Sequence, residues 1–271
     1  MNNFLFEVGS TGSQQFEHMV VAFFRDGCDA TEIQQRVSAY FSELRALGFV
    51  VPASDFVVAP VESLDWTTIW KRHFKPIYVF DKLVIKPSWE PLPPTRSAVI
   101  EIDPKQAFGT GNHATTLLAL EFLAGHVERG YTVLDVGTGT GILAMAAIKL
   151  GAVRVVAVDI DPVAIDAARE NCQRNSLDSE IALMVGETTA LPSGKLFDII
   201  VANINRREVM RLFPEFCRLL STDGLLFVTG ILVAELEQVT DQLFRERAFA
   251  LERKVEKDEW CGLLLKREAE R

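Results

Sequence analysis

Residues 132–141 read TVLDVGTGTG, and residues 155–162 read VVAVDIDP. The first stretch is a short apolar run that ends in an acid and continues into glycines at alternate positions, a pattern typical of a buried strand leading into a glycine turn. The apolar residues 142–150, with Gly151 directly after them, have the length and the stop signal of a helix. Strand, turn and helix in this order gather backbone N–H groups and a helix N-terminus around one point, which predicts a nucleoside-binding site.

Two acids indicate which nucleoside cofactor such a site would bind. Asp159 ends the second apolar run, 18 residues beyond Gly141, where it can accept hydrogen bonds from both hydroxyls of a ribose. The dinucleotide fingerprint G-x-G-x-x-G is incomplete, because Gly137 and Gly139 alternate with Gly141 and no glycine follows at the required spacing. Asp135 precedes the turn, where it would repel a pyrophosphate but attract the ammonium group of a methionine moiety. The pattern favours S-adenosylmethionine, and a tight turn without a ligand is the alternative.

Composition and charge exclude several classes of protein. Of the 271 residues 48% are hydrophobic, enough for a sizeable core, and the net charge is −9 at pH 7. An acidic chain binds bare nucleic acid poorly, so we expect no direct nucleic-acid partner. The charge would suit a basic protein partner, although it also serves solubility alone. No apolar run is long enough to span a membrane and no signal peptide is recognisable, so we expect a cytoplasmic protein with no membrane contact.

Cysteines and histidines do not form a recognisable metal motif. The four cysteines lack C-x-x-C spacing and are not near clustered histidines, so we expect neither a metal site nor a disulfide framework. We interpret Cys28, Cys172, Cys217 and Cys261 as buried apolar residues.

Residues 1–60 are predicted to form a small α+β domain of their own. The apolar run 19–24 predicts a strand, and apolar residues at helical spacing predict an amphipathic helix over 29–47. Asp29 is placed to cap this helix at its start, and Gly48 fits the position after its end. A unit of this size buries little surface, so we expect it to pack on something or bind something.

Residues 61–105 are predicted to be a linker with flanking strands, at 77–86 and 97–102, around a proline-rich break. The loop that follows, DPKQAFGTGNHATT over 103–116, is rich in glycine and hydroxylated residues, and Thr115 or Thr116 could cap a helix over 117–127. His113 has two interpretations: a general base, or a hydrogen-bonded residue that fixes the shape of the loop.

From Thr132 onward strands and helices alternate as in a parallel sheet. Asn203 follows the fourth of these strands, at the edge where open α/β sheets bind their ligands. Glu187 follows the third strand, where it could accept from an adenine amino group or simply be solvated. We expect the helix over 206–220 to kink or restart at Pro214. The further predicted elements are helices over 162–175 and 233–244 and strands over 181–185, 197–202, 224–229, 248–254 and 260–266. A terminal hairpin with one antiparallel strand completes a seven-stranded class I methyltransferase sheet, a Rossmann-like α/β fold.

Several motifs together resemble those of the PrmA family, the methyltransferases of protein eleven of the large ribosomal subunit. They cover roughly residues 62–267. The motifs are WKRHFKP at 70–76, PSW at 87–89, AFGTGNHATT at 107–116, VLDVGTGTGILAMAAIKLGA at 133–152, VAVDIDPVAI at 156–165, VANI at 201–204 and EWCGLLLKR at 259–267. The loop pattern FGTG-x-H-x-TT is specific, because it is not general to methyltransferases.

This resemblance implies an S-adenosylmethionine-dependent enzyme that trimethylates lysine side chains and an N-terminal α-amino group of the ribosomal protein. It implies a methyltransferase domain over 106–271, a shortened substrate-recognition domain over 1–60, and no metal. We expect a monomer. The residues that would hold the cofactor are Phe108, Thr110 and Thr116 from the loop, Asp135, Gly137 and Gly139 from the turn, Asp159 at the ribose, and Asn203 near the methyl group.

Methyl transfer to an amine requires alignment more than acid–base catalysis. A lysine amine is largely protonated at neutral pH, so the site must desolvate it or offer an acceptor that orients the free amine. The side-chain carbonyl of Asn203, the predicted catalytic residue, and the backbone carbonyl of Ile204 are the candidates. Two alternatives stay open: a methyltransferase acting on another protein or a small amine, and a binding module without turnover.

The chain departs from the family pattern at the loop and after Asn203. The loop has Asn112 and Ala114 where the family usually has threonine and proline. Asn203 is followed by Ile-Asn-Arg-Arg over 204–207, where the family usually has a leucine and small residues. Two arginines at the mouth of the site would repel a lysine substrate unless they point away from it.

Overall fold

The computed structural model describes residues 2–15, 20–25, 27–49, 57, 75–92, 94–103, 113–194, 196–245 and 248–268. The chain divides into two compact units, Met1–Ile69 and Trp70–Arg271. The boundary predicted near residue 60 therefore lies within the first unit, and the strands predicted between 61 and 105 belong to the second.

The described residues of the first unit form two helices and a two-stranded antiparallel sheet: α1 Asn2–Glu7, β1 Gly12–Gln15, β2 Val20–Phe23 and α2 Ala30–Ala46. The predicted strand and helix are confirmed, and Asp29 caps α2 by accepting from the backbone N–H of Thr31 at 2.8 Å. Apolar side chains from α2 and the segment after α1 form a small core, with Val8, Ile33, Val37 and Phe41 buried. The sequence did not predict α1 and β1, because a six-residue helix and the polar strand GSQQ lack a periodic pattern.

A three-stranded sheet opens the second unit: β3 Ile77–Val79, β4 Leu83–Lys86 and β5 Ala98–Glu101. The single strand predicted over 77–86 is a hairpin, since β3 pairs antiparallel with β4 around a turn at Phe80, whose φ is +50°. Strand β5 pairs parallel with β4.

Seven strands form the main sheet of the second unit, and helices cover it. The strands are β6 Thr132–Val136, β7 Arg154–Asp159, β8 Ile181–Val185, β9 Phe197–Asn203, β10 Leu220–Leu232, β11 Phe249–Lys257 and β12 Trp260–Arg267. The helices are α3 Ala114–His126, α4 Ile142–Leu150, α5 Pro162–Arg174, α6 Arg206–Leu219 and α7 Leu236–Arg245, with short 3-10 turns at Thr188–Ala190 and Val233–Glu235. None of the described helices is long and apolar enough to cross a membrane.

The order of the strands is β11-β12-β10-β9-β6-β7-β8. Strands β6 to β10 are parallel to one another, whereas β12 lies antiparallel between β10 and β11. This arrangement confirms the predicted class I methyltransferase sheet. The central strands are continuous apolar runs because helices cover both faces of the sheet: Leu134, Val155 and Ile200 are fully buried. Their carboxyl ends meet at one edge.

Three local predictions were wrong. Helix α3 begins at Ala114 and is capped by His113, not by Thr115 or Thr116. Helix α6 does not restart at Pro214, because buried Phe213 and Phe216 on either side anchor it to the sheet, while the alternative of a kink at Pro214 stays a prediction. Strand β10 begins directly after α6, earlier than predicted, with an irregular register between Leu220 and Leu225. Of the cysteines predicted to be buried, Cys172 and Cys261 are buried, Cys217 is half-buried and Cys28 is exposed.

Candidate active site

A cleft of about 560 Å³ opens at the carboxyl ends of β6 to β9. Five of the predicted site residues line it: Thr116, Gly137, Gly139, Asp159 and Asn203. Asp135 is fully buried beneath the glycine turn and does not reach the cleft wall. Phe108 and Thr110 lie outside the described residues. Parallel pairing of β6 with both β7 and β9 thus brings together side chains that are far apart in sequence.

The glycine turn after β6 is tied to the neighbouring strand by its own backbone. The N–H groups of Gly137 and Thr138 both donate to the carbonyl oxygen of Val158, at 2.9 and 3.1 Å. Gly137 has a φ of +71°, and a Cβ placed on it would lie 2.5 Å from Cγ2 of Ile204. Position 137 therefore requires glycine for its conformation and for the space that Ile204 occupies.

Asp159 is held in place by two backbone N–H groups. Its Oδ2 accepts from Gly139 at 3.0 Å, and its Oδ1 accepts from Asp161 at 3.0 Å. A carboxylate oxygen can accept two hydrogen bonds, so both oxygens keep a further acceptor position. The carboxylate is thus oriented before any ligand binds, and it can accept from two neighbouring hydroxyls.

Asp135 is a buried acid whose charge is only partly compensated. Its Oδ2 accepts from the Thr138 hydroxyl at 2.6 Å and from the Ala144 N–H at 3.1 Å. Its Oδ1 has no hydrogen-bond partner among the described residues. Burial raises the pKa of Asp135 to about 7, and the negative charge of Asp159 adds to the effect, while the two hydrogen bonds oppose it. A cation near the turn would be stabilised by the ionised form of this group.

Asn203 and Ile204 form the end of the cleft next to β10. The side-chain amide of Asn203 donates a long hydrogen bond, 3.4 Å, to the hydroxyl of Thr116 in the first turn of α3. This contact directs the amide nitrogen toward α3 and leaves the side-chain oxygen as an acceptor. The N–H of Ile204 donates to the carbonyl oxygen of Thr229 at 3.2 Å, so the segment after β9 is fixed to β10.

His113 caps α3 and contacts the terminal hairpin. Its Nδ1 accepts from the backbone N–H of Thr115 at 3.4 Å and lies 2.8 Å from the Thr115 hydroxyl. Its ring meets the ring of Trp260 edge-on, with centroids 5.1 Å apart. These contacts favour the interpretation that His113 fixes local geometry, because it positions the first turn of α3 and with it Thr116.

An ionic network also borders the cleft. Arg211 on α6 pairs with Glu187 at 2.9 Å and with Glu208 at 2.7 Å, and all three side chains line the cleft. Sequence reasoning missed Arg211, because a Glu–Arg pair three residues apart on an amphipathic helix is an ordinary surface feature. It also missed Ile160, which is 68% exposed beside Asp159 and lines the cleft. The sequence pattern that could have identified Ile160 is an apolar residue between two acids, Asp159 and Asp161.

The arginines that follow Asn203 do not line the cleft. Arg206 pairs with Glu235 at 3.1 Å and also donates to Gln238, so its guanidinium is directed toward the 3-10 turn after β10. Arg207 is exposed. The expected repulsion of a lysine substrate by Arg206 is therefore reduced by the partner that Arg206 already has.

Several known proteins with similar sequences are described as ribosomal protein L11 methyltransferases. A family model described as "Ribosomal protein L11 methyltransferase (PrmA)" matches residues 2–268. The ribosomal protein L11 methyltransferase of Pelobacter propionicus is 39% identical over 92% of this chain and 82% of its own length. The protein of the same name from Symbiobacterium thermophilum is 42% identical over 79% of this chain and 70% of its own length.

A solved structure, the ribosomal protein L11 methylase of Lactobacillus delbrueckii subsp. bulgaricus, is 37% identical with a TM-score of 0.66. The match covers 72% of this chain and all of that one. The match of the family model over almost the whole sequence, together with relatives of this identity and coverage, shows that the chain belongs to the family of ribosomal protein L11 methyltransferases.

Proposed function

We propose that the protein transfers methyl groups from S-adenosylmethionine to amino groups of ribosomal protein L11. The observation that carries the proposal is that Asp159, whose carboxylate is fixed by backbone N–H groups, and Asn203 line the same cleft. Family membership supports the reaction and the substrate. A ribosomal substrate also supports the predicted cytoplasmic location, and the monomeric state stays a prediction.

Asp159 suits a ribose, which S-adenosylmethionine and a dinucleotide both carry. Asp135 favours S-adenosylmethionine, because its buried and only partly compensated carboxylate would attract an ammonium group but repel a pyrophosphate. When bound, this cofactor supplies a methyl group on a sulfonium for direct displacement by an amine. Thr116, Gly137 and Gly139 would contact it from the cleft wall. We also propose Phe108 and Thr110 as ligands, and Glu187 as an acceptor for the adenine amino group.

The residues of the acceptor end would orient the amine. A lysine amine must lose its proton before it can attack, and a hydrogen bond to an acceptor directs its lone pair. The Asn203 oxygen meets this need because Thr116 already occupies the amide nitrogen. The Ile204 carbonyl is the weaker candidate, since its oxygen packs against Gly230. His113 is not needed as a base, because Thr115 already occupies its Nδ1.

Recognition of the ribosomal protein is assigned, as a proposal, to the first unit. A protein substrate needs a surface of roughly 800 Å² per partner. The first unit is compact and exposes apolar side chains that its own core does not use, with Phe6 53% and Leu47 74% exposed. The described residues of the cleft all belong to the second unit, so the cleft does not occupy the described surface of the first unit.

Replacing Asp159 by alanine should weaken the binding of S-adenosylhomocysteine. Loss of an acceptor for two ribose hydroxyls costs on the order of 1–3 kcal/mol, or about a fivefold to 150-fold increase in Kd. Titration calorimetry measures this Kd. Asp166→Ala is the matched control, because Asp166 lies exposed on α5 and pairs only with Arg169 among the described residues. The cofactor assignment would be wrong if Asp159→Ala bound S-adenosylhomocysteine as tightly as wild type, or if the wild-type protein bound NAD more tightly than S-adenosylhomocysteine.

Binding of S-adenosylhomocysteine should tighten as the pH rises toward 7. Because burial raises the pKa of Asp135 to about 7, this acid must lose its proton before its charge can attract the ligand's ammonium group from beneath the glycine turn. The affinity should be about tenfold higher at pH 7 than at pH 5.5, and Asp135→Asn should remove most of that dependence. A wild-type affinity that does not change over this range would exclude an attraction between ionised Asp135 and the ammonium group.

The raised pKa of Asp135 also makes the stability of the free protein depend on pH. The folded protein keeps the Asp135 proton from about pH 4 to 7, where the unfolded chain has released it, so this group destabilises the free protein as the pH rises through that window. Urea unfolding of the free protein should therefore show Asp135→Asn gaining stability relative to wild type between pH 5 and 8. If the difference in unfolding free energy between Asp135→Asn and wild type is constant with pH, the pKa of Asp135 is not raised.

Deleting residues 1–69 should abolish methylation of ribosomal protein L11 and leave binding of S-adenosylhomocysteine intact. The described residues of the cleft all belong to the second unit. Mass spectrometry of L11 and calorimetry of the truncated and full chains measure the two effects. If the truncated enzyme methylates L11 as fast as the full chain, the first unit does not recognise the substrate. If neither methylates L11 but a lysate assay identifies another target, the alternative substrate replaces L11.

A further inference from the structure

Strand β10 is irregular where it passes the end of β9. Its pairing with β12 is regular up to Val228↔Leu263 and resumes at Ile231↔Cys261. Two residues of β10, Thr229 and Gly230, thus lie opposite one residue of β12, which is the definition of a β-bulge. Gly230 has a φ of +87°. On its other side β10 makes its last pairing with β9 at Thr229↔Asn203. The bulge therefore lies where β9 ends at Asn203.

Gly230 lies against the backbone of Ile204. A Cβ placed on Gly230 would be 2.5 Å from the carbonyl oxygen of Ile204, 3.0 Å from its carbonyl carbon and 3.1 Å from its nitrogen. These are main-chain atoms, so they cannot move aside as a flexible side chain would. The preceding residue of the bulge, Thr229, accepts the Ile204 N–H at 3.2 Å. The bulge thus binds the N–H of Ile204 through Thr229 and packs against its carbonyl group at Gly230.

Ile204 is also confined from the opposite side. Its Cγ2 occupies the space that a side chain at Gly137 would fill. Two glycines with positive φ, one in the turn after β6 and one in the bulge of β10, therefore hold Ile204 between them. Asn203 is bonded directly to Ile204, so the position of its side chain depends on the position of this residue. Misplacement of a reactive group by about 1 Å can cost a hundredfold in rate.

We propose that Gly230 is a positioning residue of the methyl-acceptor site, which sets Asn203 and Ile204 for the incoming amine without contacting the cofactor. This inference rests on the proposed function, since it assumes that Asn203 orients an amine. It assigns to the bulge a role in turnover and none in cofactor affinity. Gly230 is absent from the cleft wall, in contrast to Gly137, which lines it.

The test compares Gly230→Ala with a matched glycine far from the acceptor end. Gly151, after the C-terminus of α4, also has a positive φ, +121°, but a Cβ on it would make only an ordinary contact of 3.4 Å with Arg129. Both substitutions impose a strained conformation, whereas only the first displaces Ile204. We expect kcat for methylation of L11 to fall about tenfold to hundredfold in Gly230→Ala, with the Kd of S-adenosylhomocysteine changed less than about threefold. Gly151→Ala should retain wild-type kcat.

A double-mutant cycle tests the route of the effect. If Gly230 acts through Asn203, Gly230→Ala should lower kcat little further when Asn203 is already alanine. Effects that multiply would overturn the proposal, as would wild-type kcat in Gly230→Ala or a loss of cofactor affinity equal to the loss of kcat. Should Gly230→Ala fail to fold, Ile204→Ala removes the side chain that packs against Gly137. This variant should also lower kcat much more than it weakens the binding of S-adenosylhomocysteine. Wild-type kcat in Ile204→Ala, or an equal loss of kcat and affinity, would overturn the proposal.

A readout without L11 separates this proposal from the proposed function. The side-chain amide signals of Asn203 in a ¹H–¹⁵N spectrum, identified by their loss in Asn203→Ala, should shift in Gly230→Ala and stay unchanged in Gly151→Ala. Unchanged Asn203 signals in Gly230→Ala would overturn the positioning role whatever the enzyme methylates. Failure of the wild-type enzyme to methylate L11, with the amide shift present, would count against the proposed function alone.

Discussion

The carbonyl oxygen of Val158 accepts hydrogen bonds from two successive N–H groups of the glycine turn, and the rest of the site depends on this contact. It joins the ends of β6 and β7, so the turn and the Asp159 carboxylate have a fixed relation to each other. Asp159 adds a second connection through the N–H of Gly139. Because Gly137 carries no side chain, Ile204 can approach the same turn from β9. Three strands therefore converge on one turn, and each contributes a different part of the cleft.

The buried acid beneath the turn gives this arrangement its electrostatic character. Full burial of a carboxylate is unfavourable unless it is compensated, and Asp135 has hydrogen bonds to only one of its two oxygens among the described residues. A group in this state stabilises a nearby cation more than an exposed acid would, because solvent does not screen it. Burial of the Asp135 carboxylate lowers the stability of the free protein. The same buried carboxylate attracts a positively charged ligand, so the loss of stability accompanies a gain in binding.

The sequence predicted the main sheet well and the local geometry of the site less well. Strands such as β6 and β9 are predictable because both faces are buried, which makes each a continuous apolar run ended by a glycine or a polar residue. The hydrogen bond between Asn203 and Thr116, 87 positions apart, has no sequence signal, since it depends on how α3 packs against the sheet. His113 was ambiguous for a related reason: a histidine in a glycine-rich loop has the same pattern whether it caps a helix or transfers a proton. The bulge at Gly230 could not be predicted from the sequence, because a glycine within an apolar strand does not specify which backbone approaches it.

In the proposed mechanism one cleft holds the cofactor through Asp159 and orients the amine through Asn203. The test is the turnover of Asn203→Ala on ribosomal protein L11, followed by mass spectrometry, measured beside the affinity of this variant for S-adenosylhomocysteine. Asn205→Ala is the control, because the neighbouring Asn205 caps α6 and does not line the cleft. In Asn203→Ala kcat should fall about a hundredfold with affinity nearly unchanged, since only alignment in the transition state is lost. An equal loss of turnover and affinity would make Asn203 a cofactor ligand only and would contradict its role in orienting the amine.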